Sequence, residues 1–278
     1  MAASDSPEEK SPPASPGGGR DSWRALAVHT PARIALGRTG GSLRTESLLE
    51  FRLAHAGARD AVQAPFDLPA LDAALQGEGL ATFALATAAR DRTTYLLRPD
   101  LGRQLDPAAA EALRAAAPAW GRRDLAILVS DGLAAAAAGN HAAATVGELA
   151  RLLAGSDWTL YPVFLAPFAR VKLQDAVGAI VGARLSVILL GERPGLSAHD
   201  SLGAYLTFAP HADRTDADRN CVSNIRAGGL PPAAAARKLA HLLLEARRLG
   251  ASGTALRDTS DPPISASLTH RSQVQRYT

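Results

Sequence analysis

Three features of the sequence predict an α/β fold. From residue 124 onward, short apolar runs of strand length alternate with stretches of helical periodicity, the pattern of a βαβ series around a parallel sheet. The apolar run 185–190 stops at Gly191-Glu192-Arg193-Pro194-Gly195, a strand end followed by a shaped loop, which is where open α/β sheets hold ligands. Residues 1–20 are Pro, Ser, Gly and charge, a composition that cannot bury enough apolar surface to order itself. The prediction is a Rossmann-like, mostly parallel sheet over 119–258, preceded by a smaller, mainly helical N-terminal region over 23–118 and a disordered arm over 1–22. Residues 259–278 read as a loose polar tail.

In chain order, 32–41 reads as a loop around Gly37-Arg38-Thr39-Gly40-Gly41. It lacks both the spacing and the preceding buried strand of a phosphate-binding loop. Thr45 is placed to cap a helix with Glu46 in its first turn. Leu48, Phe51, Ala58 and Val62 then recur at helical spacing, and the helix ends before Pro65. His55 falls on that stripe, as a hydrogen-bonded core residue or a ligand. A short helix is expected over 67–75, and 80–88 fits strand or helix equally.

The stretch 89–103 is dense in Arg and Asp. It reads as an ion-paired face or as a docking surface. A helix over 107–117 is capped by Asp106. A buried strand over 125–129 ends in Ser130-Asp131-Gly132, and a helix over 133–153 carries a break signal at Gly139-Asn140. The strand over 159–165 contains Pro162, which puts it at an edge or puts the proline at its start. A helix over 171–181, the strand over 185–190, a strand over 204–209 and a long helix over 231–249 follow. Gly250 stops the long helix. Residues 213–224 read as a polar loop holding the single cysteine, Cys221, and 254–257 as a last short strand.

Composition narrows the function. The net charge is +3 with scattered basic residues, which gives no nucleic-acid footprint. One cysteine rules out an internal disulfide framework and suits a reducing cytosol. No run approaches the ~18–20 apolar residues of a membrane span, and the N-terminus lacks the pattern of a secretion signal, so no membrane association or secretion is expected. No G-x-G-x-x-G follows any strand, no His or Cys pair has metal-ligand spacing, and there is no G-x-S-x-G elbow. Cys221 has no His at motif distance. A ligand edge without acid–base or nucleophilic machinery suggests a subunit that holds a cofactor while the reaction centre lies elsewhere.

Several blocks carry a specific resemblance. They are 32–37 with the following LLEFRLAHAGARDAV, AARDRTTYLLRPDLGRQL, LVSDGL, RVKLQDAVGAIVGARL, LLGERPGLSAHDSLGAYLTFAP and RTDADRNCVSNIRAGGL. Together they resemble the small subunit of ethanolamine ammonia-lyase over about 32–258. Arg44 stands where that family often has Pro, and Arg52 where Gln is usual; both lie outside the cofactor blocks. The resemblance implies an adenosylcobalamin-dependent lyase that converts ethanolamine to acetaldehyde and ammonia. A larger barrel-shaped subunit would bind substrate and carry the radical chemistry, and this chain would close the cofactor between the subunits, with 23–118 contacting the large one. Carried over by motif, the cofactor contacts are Val171 in RVKL, Glu192 in GERPG and Cys221 in RNCVSN.

No catalytic residue and no metal ligand is expected from this chain. The Asp-x-His-x-x-Gly motif that displaces the cofactor's own base is absent: Ser197 precedes His199 and Gly203 follows it by four residues, so a base-on cofactor is expected. The location implied is cytoplasmic, either open or inside a bacterial microcompartment. The alternatives are a stand-alone Rossmann-like nucleotide-binding enzyme and a pure assembly subunit.

Overall fold

The computed structural model describes residues 24–260, except 31, 35 and 40. The expected arm over 1–22, and the tail beyond residue 260, lie outside the described residues. The chain divides into two units, one up to Gly57 and one from Ala58 onward. In the first, a 3-10 turn at Arg24–His29 precedes an antiparallel hairpin of β1 (Arg38–Thr39) and β2 (Ser42–Leu43). Residues 38–39 of the expected glycine-rich loop are therefore strand.

Helix α1, Thr45–Gln63, follows and runs on into the second unit; Thr45 is its first residue, not a cap outside it. Leu49, Phe51 and Leu53 are exposed on it. His55 is also exposed, with its ring 6.4 Å from that of Phe51, so it is not the core residue its spacing suggested.

The second unit is built on a six-stranded sheet. Its strands are β3 (Thr82–Ala84), β4 (Leu125–Ser130), β5 (Val163–Leu165), β6 (Leu185–Gly191), β7 (Leu202–Phe208) and β8 (Arg219–Ile225), in the order β3-β5-β4-β6-β7-β8. The sheet is mixed, which corrects the mostly parallel expectation: β3, β5, β4 and β6 run parallel, while β7 and β8 are antiparallel additions. The 192–201 connection from β6 to β7 carries no helix and is too short for a crossover. The ambiguous 80–88 stretch supplies β3, so the sheet draws a strand from ahead of residue 119. Pro162 lies just before β5, an interior strand, where its missing N–H costs no ladder bond.

Strand β8 corrects the polar-loop reading of 213–224. Between Leu202↔Ile225 and Ala204↔Val222 it carries one extra residue, a β-bulge, and Asn224 takes the left-handed conformation there (φ 58°). Val222 and Ile225 are three apart yet both buried. The bulge breaks the two-residue period that marks a strand in sequence.

Six further α-helices are described. They are α2 (Leu68–Gly77), α3 (Arg92–Leu97), α4 (Pro107–Trp120), α5 (Ala135–Ala154), α6 (Leu173–Val181) and α7 (Pro232–Leu249). Asp67, Asp91 and Asp106 cap α2, α3 and α4 by accepting N–H bonds from the first turn. Gly182 and Gly250 close α6 and α7 in the left-handed conformation. Helix α5 is continuous through Gly139-Asn140. The sheet separates two cores. Leu125, Ile127 and Val129 of β4 join buried side chains of α2, α5 and α7, whereas Ala126 and Leu128 join those of α4 and α6. Alternate residues thus bury on opposite faces, each Leu or Ile contributing roughly 1.5–3 kcal/mol.

The expected strand over 254–257 is a 3-10 turn at Gly253–Ala255. The Asn220 amide bonds there to the carbonyls of Gly253 and Leu256, and its Oδ1 accepts the N–H of Gly253. Residues 258–260 are not loose, because Lys238 Nζ donates to Asp258 Oδ2 and Ser260 Oγ at 2.8 Å each.

Candidate functional site

The carboxyl ends of β4 and β6 lie side by side, with Ser130 paired to Leu190. The loops leaving them interlock. A Cβ on Gly132 (φ 56°) would stand 2.3 Å from the carbonyl oxygen of Gly191, and one on Gly191 would stand 2.1 Å from that of Ala134. Leu133 donates its N–H to Gly191 across the join at 2.8 Å. Glycine is required at both positions for backbone to meet backbone.

Arg92 holds this rim. Its guanidinium donates to Asp131 Oδ2 (3.0 Å) and to the carbonyls of Gly132 (2.6 Å), Leu133 (3.0 Å) and Val62 (2.8 Å). Asp131 Oδ1 accepts the N–H of Phe168 at 2.7 Å, tying the rim to the segment after β5. Burial pushes the Asp131 carboxyl above its ordinary range, against the opposing pull of the Phe168 N–H and Arg92. The Arg-dense stretch is thus divided: Arg92 faces inward as a clamp, while Arg98 pairs with Asp100 at 2.7 Å on the surface.

Glu192 is the first residue beyond β6. Its Oε2 accepts Ser201 Oγ–H at 2.5 Å and the Asn224 N–H at 3.2 Å, so the bulge of β8 aims a backbone donor at it. Its Oε1 takes no hydrogen bond from the described residues. A Cβ on Gly203 would approach that oxygen to 2.8 Å, so this glycine makes room for the carboxylate.

Val171 is half-buried just before α6. Cys221 stands opposite Tyr205 in the β7–β8 register. The residue is exposed, yet the protein around its thiol pushes the pKa up to about 11, with a hydrogen bond from Tyr205 pulling down and the Glu192 charge adding to the rise. The Tyr205 hydroxyl is raised too, by burial first and then by Cys221 and Glu192.

Two cavities, of about 480 and 690 Å³, share Arg170, Val171 and Tyr205 as walls. Glu192 lines the first and Cys221 the second. The three residues singled out from the motifs therefore meet along one cleft, although they lie far apart in sequence. Sequence reasoning missed Tyr205, Arg170 and Arg92. Arg170 is adjacent to Val171 in the RVKL block, which was a usable signal. Tyr205 gave none, because which face a strand residue takes depends on a partner strand that was read as loop.

Among the described residues, no group of three or more His, Cys, Asp or Glu side chains could hold a metal ion. No helix among them is long and apolar enough to cross a membrane. What the cleft offers is a carboxylate acceptor, a small apolar wall, a phenol, a neutral thiol and arginine donors, a set suited to holding a large ligand.

A family model described as "Ethanolamine ammonia-lyase light chain (EutC)" matches residues 20–257. The chain belongs to that family. Relatives named ethanolamine ammonia-lyase small subunit include a Xanthomonas campestris protein, 52% identical over 88% of this chain and 90% of its own length. One from Ralstonia nicotianae is 51% identical over 87% of this chain and 90% of its own. Another from Bradyrhizobium diazoefficiens is 55% identical over 84% and 90%.

Proposed function

We propose that this chain is the cofactor-holding small subunit of an adenosylcobalamin-dependent ethanolamine ammonia-lyase, active only with a large catalytic subunit. The observation that carries the reading is the meeting of Val171, Glu192 and Cys221 along one cleft at the carboxyl edge of the sheet. The residues present fit the cofactor. Glu192 Oε1, in the space that Gly203 leaves, takes no hydrogen bond from a described residue, and a corrin rim of amides offers N–H groups to such an oxygen. Val171 gives a small apolar wall, and Cys221 a neutral group that packs without adding a charge.

When bound, the cofactor supplies radical chemistry from its cobalt–carbon bond. This chain orients it. Ser201 and Asn224 fix the Glu192 carboxylate, and Arg92 and Asp131 fix the rim beneath it. A cofactor held here would keep its own lower base, since His199 lacks the motif context that would displace it. The helical N-terminal region, with Leu49, Phe51 and Leu53 exposed on α1, contacts the large subunit. The location that goes with this reading is cytoplasmic, either open or inside a bacterial microcompartment.

The test is co-expression with a large subunit of the family, purification of the complex and assay of ammonia released from ethanolamine. Release that requires both chains and adenosylcobalamin is expected. Turnover by this chain alone, or no complex at all, would overturn the reading.

A further inference from the structure

The larger cavity, beside Val171, is lined by the cations Arg103, Arg170, Lys172, Arg214 and Arg219 and by a single carboxylate, Asp216. Three of those cations are engaged inside the protein. Lys172 Nζ donates to the carbonyls of Ala212 (2.8 Å) and Arg214 (2.7 Å). Arg214 meets Asp218 at 3.3 Å. Arg219 forms a bidentate pair with Asp175 at 2.8 and 2.7 Å, with Asp216 on its third nitrogen.

Arg103 and Arg170 have no carboxylate partner among the described residues. Arg170 lies over the Tyr95 ring at 4.0 Å and donates Nη2 to the Tyr95 carbonyl, while its buried Nε has no partner. Arg103 is exposed and its side chain makes no hydrogen bond to a described residue. The backbone holds the two side by side. Arg170 donates its N–H to the Gly102 carbonyl at 2.7 Å, and a Cβ on Gly102 would meet Phe168 O at 2.8 Å and Arg170 Cγ at 2.9 Å. Only glycine lets the Leu101–Arg103 turn press this closely on the segment after β5. Two guanidiniums brought to one cavity without a counter-charge repel, and an anion between them removes that cost. The planar guanidinium fork suits phosphate oxygens.

We propose that Arg103 and Arg170 form an anion subsite of the cleft, filled by the phosphodiester of the cofactor's nucleotide tail; this rests on the cofactor reading above. The full two-subunit complex is titrated spectrophotometrically with adenosylcobalamin, adenosylcobinamide phosphate and adenosylcobinamide, of which the last lacks phosphate. Arg103→Ala, at an exposed side chain with no hydrogen bond to a described residue, should weaken binding of the first two by about tenfold or more and leave the third unchanged. Arg103→Lys, which keeps the charge, should recover most of that loss. Excess inorganic phosphate should compete with the first two ligands only. The subsite is overturned if Arg103→Ala affects none of the three, or weakens adenosylcobinamide as much as the others. If Glu192→Ala and Cys221→Ala weaken all three while Arg103→Ala weakens none, the subsite alone fails. If all three variants leave every ligand unaffected, the cofactor reading fails with it.

Discussion

Ser201 holds Glu192: its hydroxyl donates to Oε2 at 2.5 Å, from the residue just before β7 back to the residue just past β6. The bond closes the 192–201 loop on itself, and Oε1 lies against Gly203 with no hydrogen bond from a described residue. Ser201→Ala should cost about 1 kcal/mol of stability, the usual net worth of one such bond. It should also weaken adenosylcobalamin binding to the complex several-fold, because Glu192 is then held by the Asn224 N–H alone. Thermal unfolding and a spectrophotometric titration measure the two effects, and unchanged affinity would remove Ser201 from a positioning role.

The neutral thiol of Cys221 has a chemical signature. With its pKa pushed up to about 11, the thiolate is scarce at neutral pH, so alkylation by iodoacetamide should be slow despite the exposed position. The rate should climb without a plateau below about pH 10. The folded value lies above the ordinary one of 9.0, so the associated stability is intact below about pH 9 and declines as pH rises towards 11. Tyr205→Phe removes the bond that favours the thiolate and should shift the profile further up.

Arg92→Ala should be severely destabilising, by about 3–5 kcal/mol, since it strands the buried Asp131 carboxylate and three carbonyls. Arg92 is one of the influences holding the Asp131 pKa down against burial. Without it that pKa rises further, so the variant gains stability relative to wild type on acidification as Asp131 takes up a proton. Denaturant melts at pH 8 and pH 5 check the sign: a smaller deficit at pH 5 is expected.

Glycines differ sharply in tolerance. Gly191→Ala drives a methyl to 2.1 Å from the Ala134 carbonyl oxygen, with backbone on both sides and no flexible group to yield, and should prevent stable folding. Gly139, inside α5, has open space around it, and Gly139→Ala should add roughly 0.5–1 kcal/mol. Both are read by thermal unfolding of the purified chain.

The holoenzyme's ultraviolet–visible spectrum should be that of base-on adenosylcobalamin. A base-off spectrum would remove that part of the functional reading while leaving Glu192 and Cys221 as contacts.

Strands β4, β5 and β6 were legible because they are buried on both faces and read as nearly continuous apolar runs, as at Leu185–Gly191, whereas β3, only partly buried, was not. The helix cap at Asp106 was legible because capping is local chemistry. His55 was misplaced because helical spacing marks a face without saying whether protein covers it. Strand β8 was lost to its polar composition and its bulge. With it went the pairing of Tyr205 with Cys221, which brings the second cavity together. The Arg92 clamp and the Arg103–Arg170 pair join segments far apart in sequence, and no local pattern encodes such contacts.

The polar sequence that disguised β8 has a further consequence. As the outermost strand on its side of the sheet, β8 is where a second molecule could add a strand and start a chain of copies. Arg219 and Asn220 interrupt the apolar surface such growth needs, the bulge at Asn224 twists the ladder, and the Asn220 amide is already occupied by the turn at Gly253–Ala255. Shortening the chain to end before Ser252 would strip that cover and leave a protein still carrying its cleft but prone to self-association. The turn at Gly253–Ala255 thus ties the chain that follows the last helix to the edge strand of the sheet.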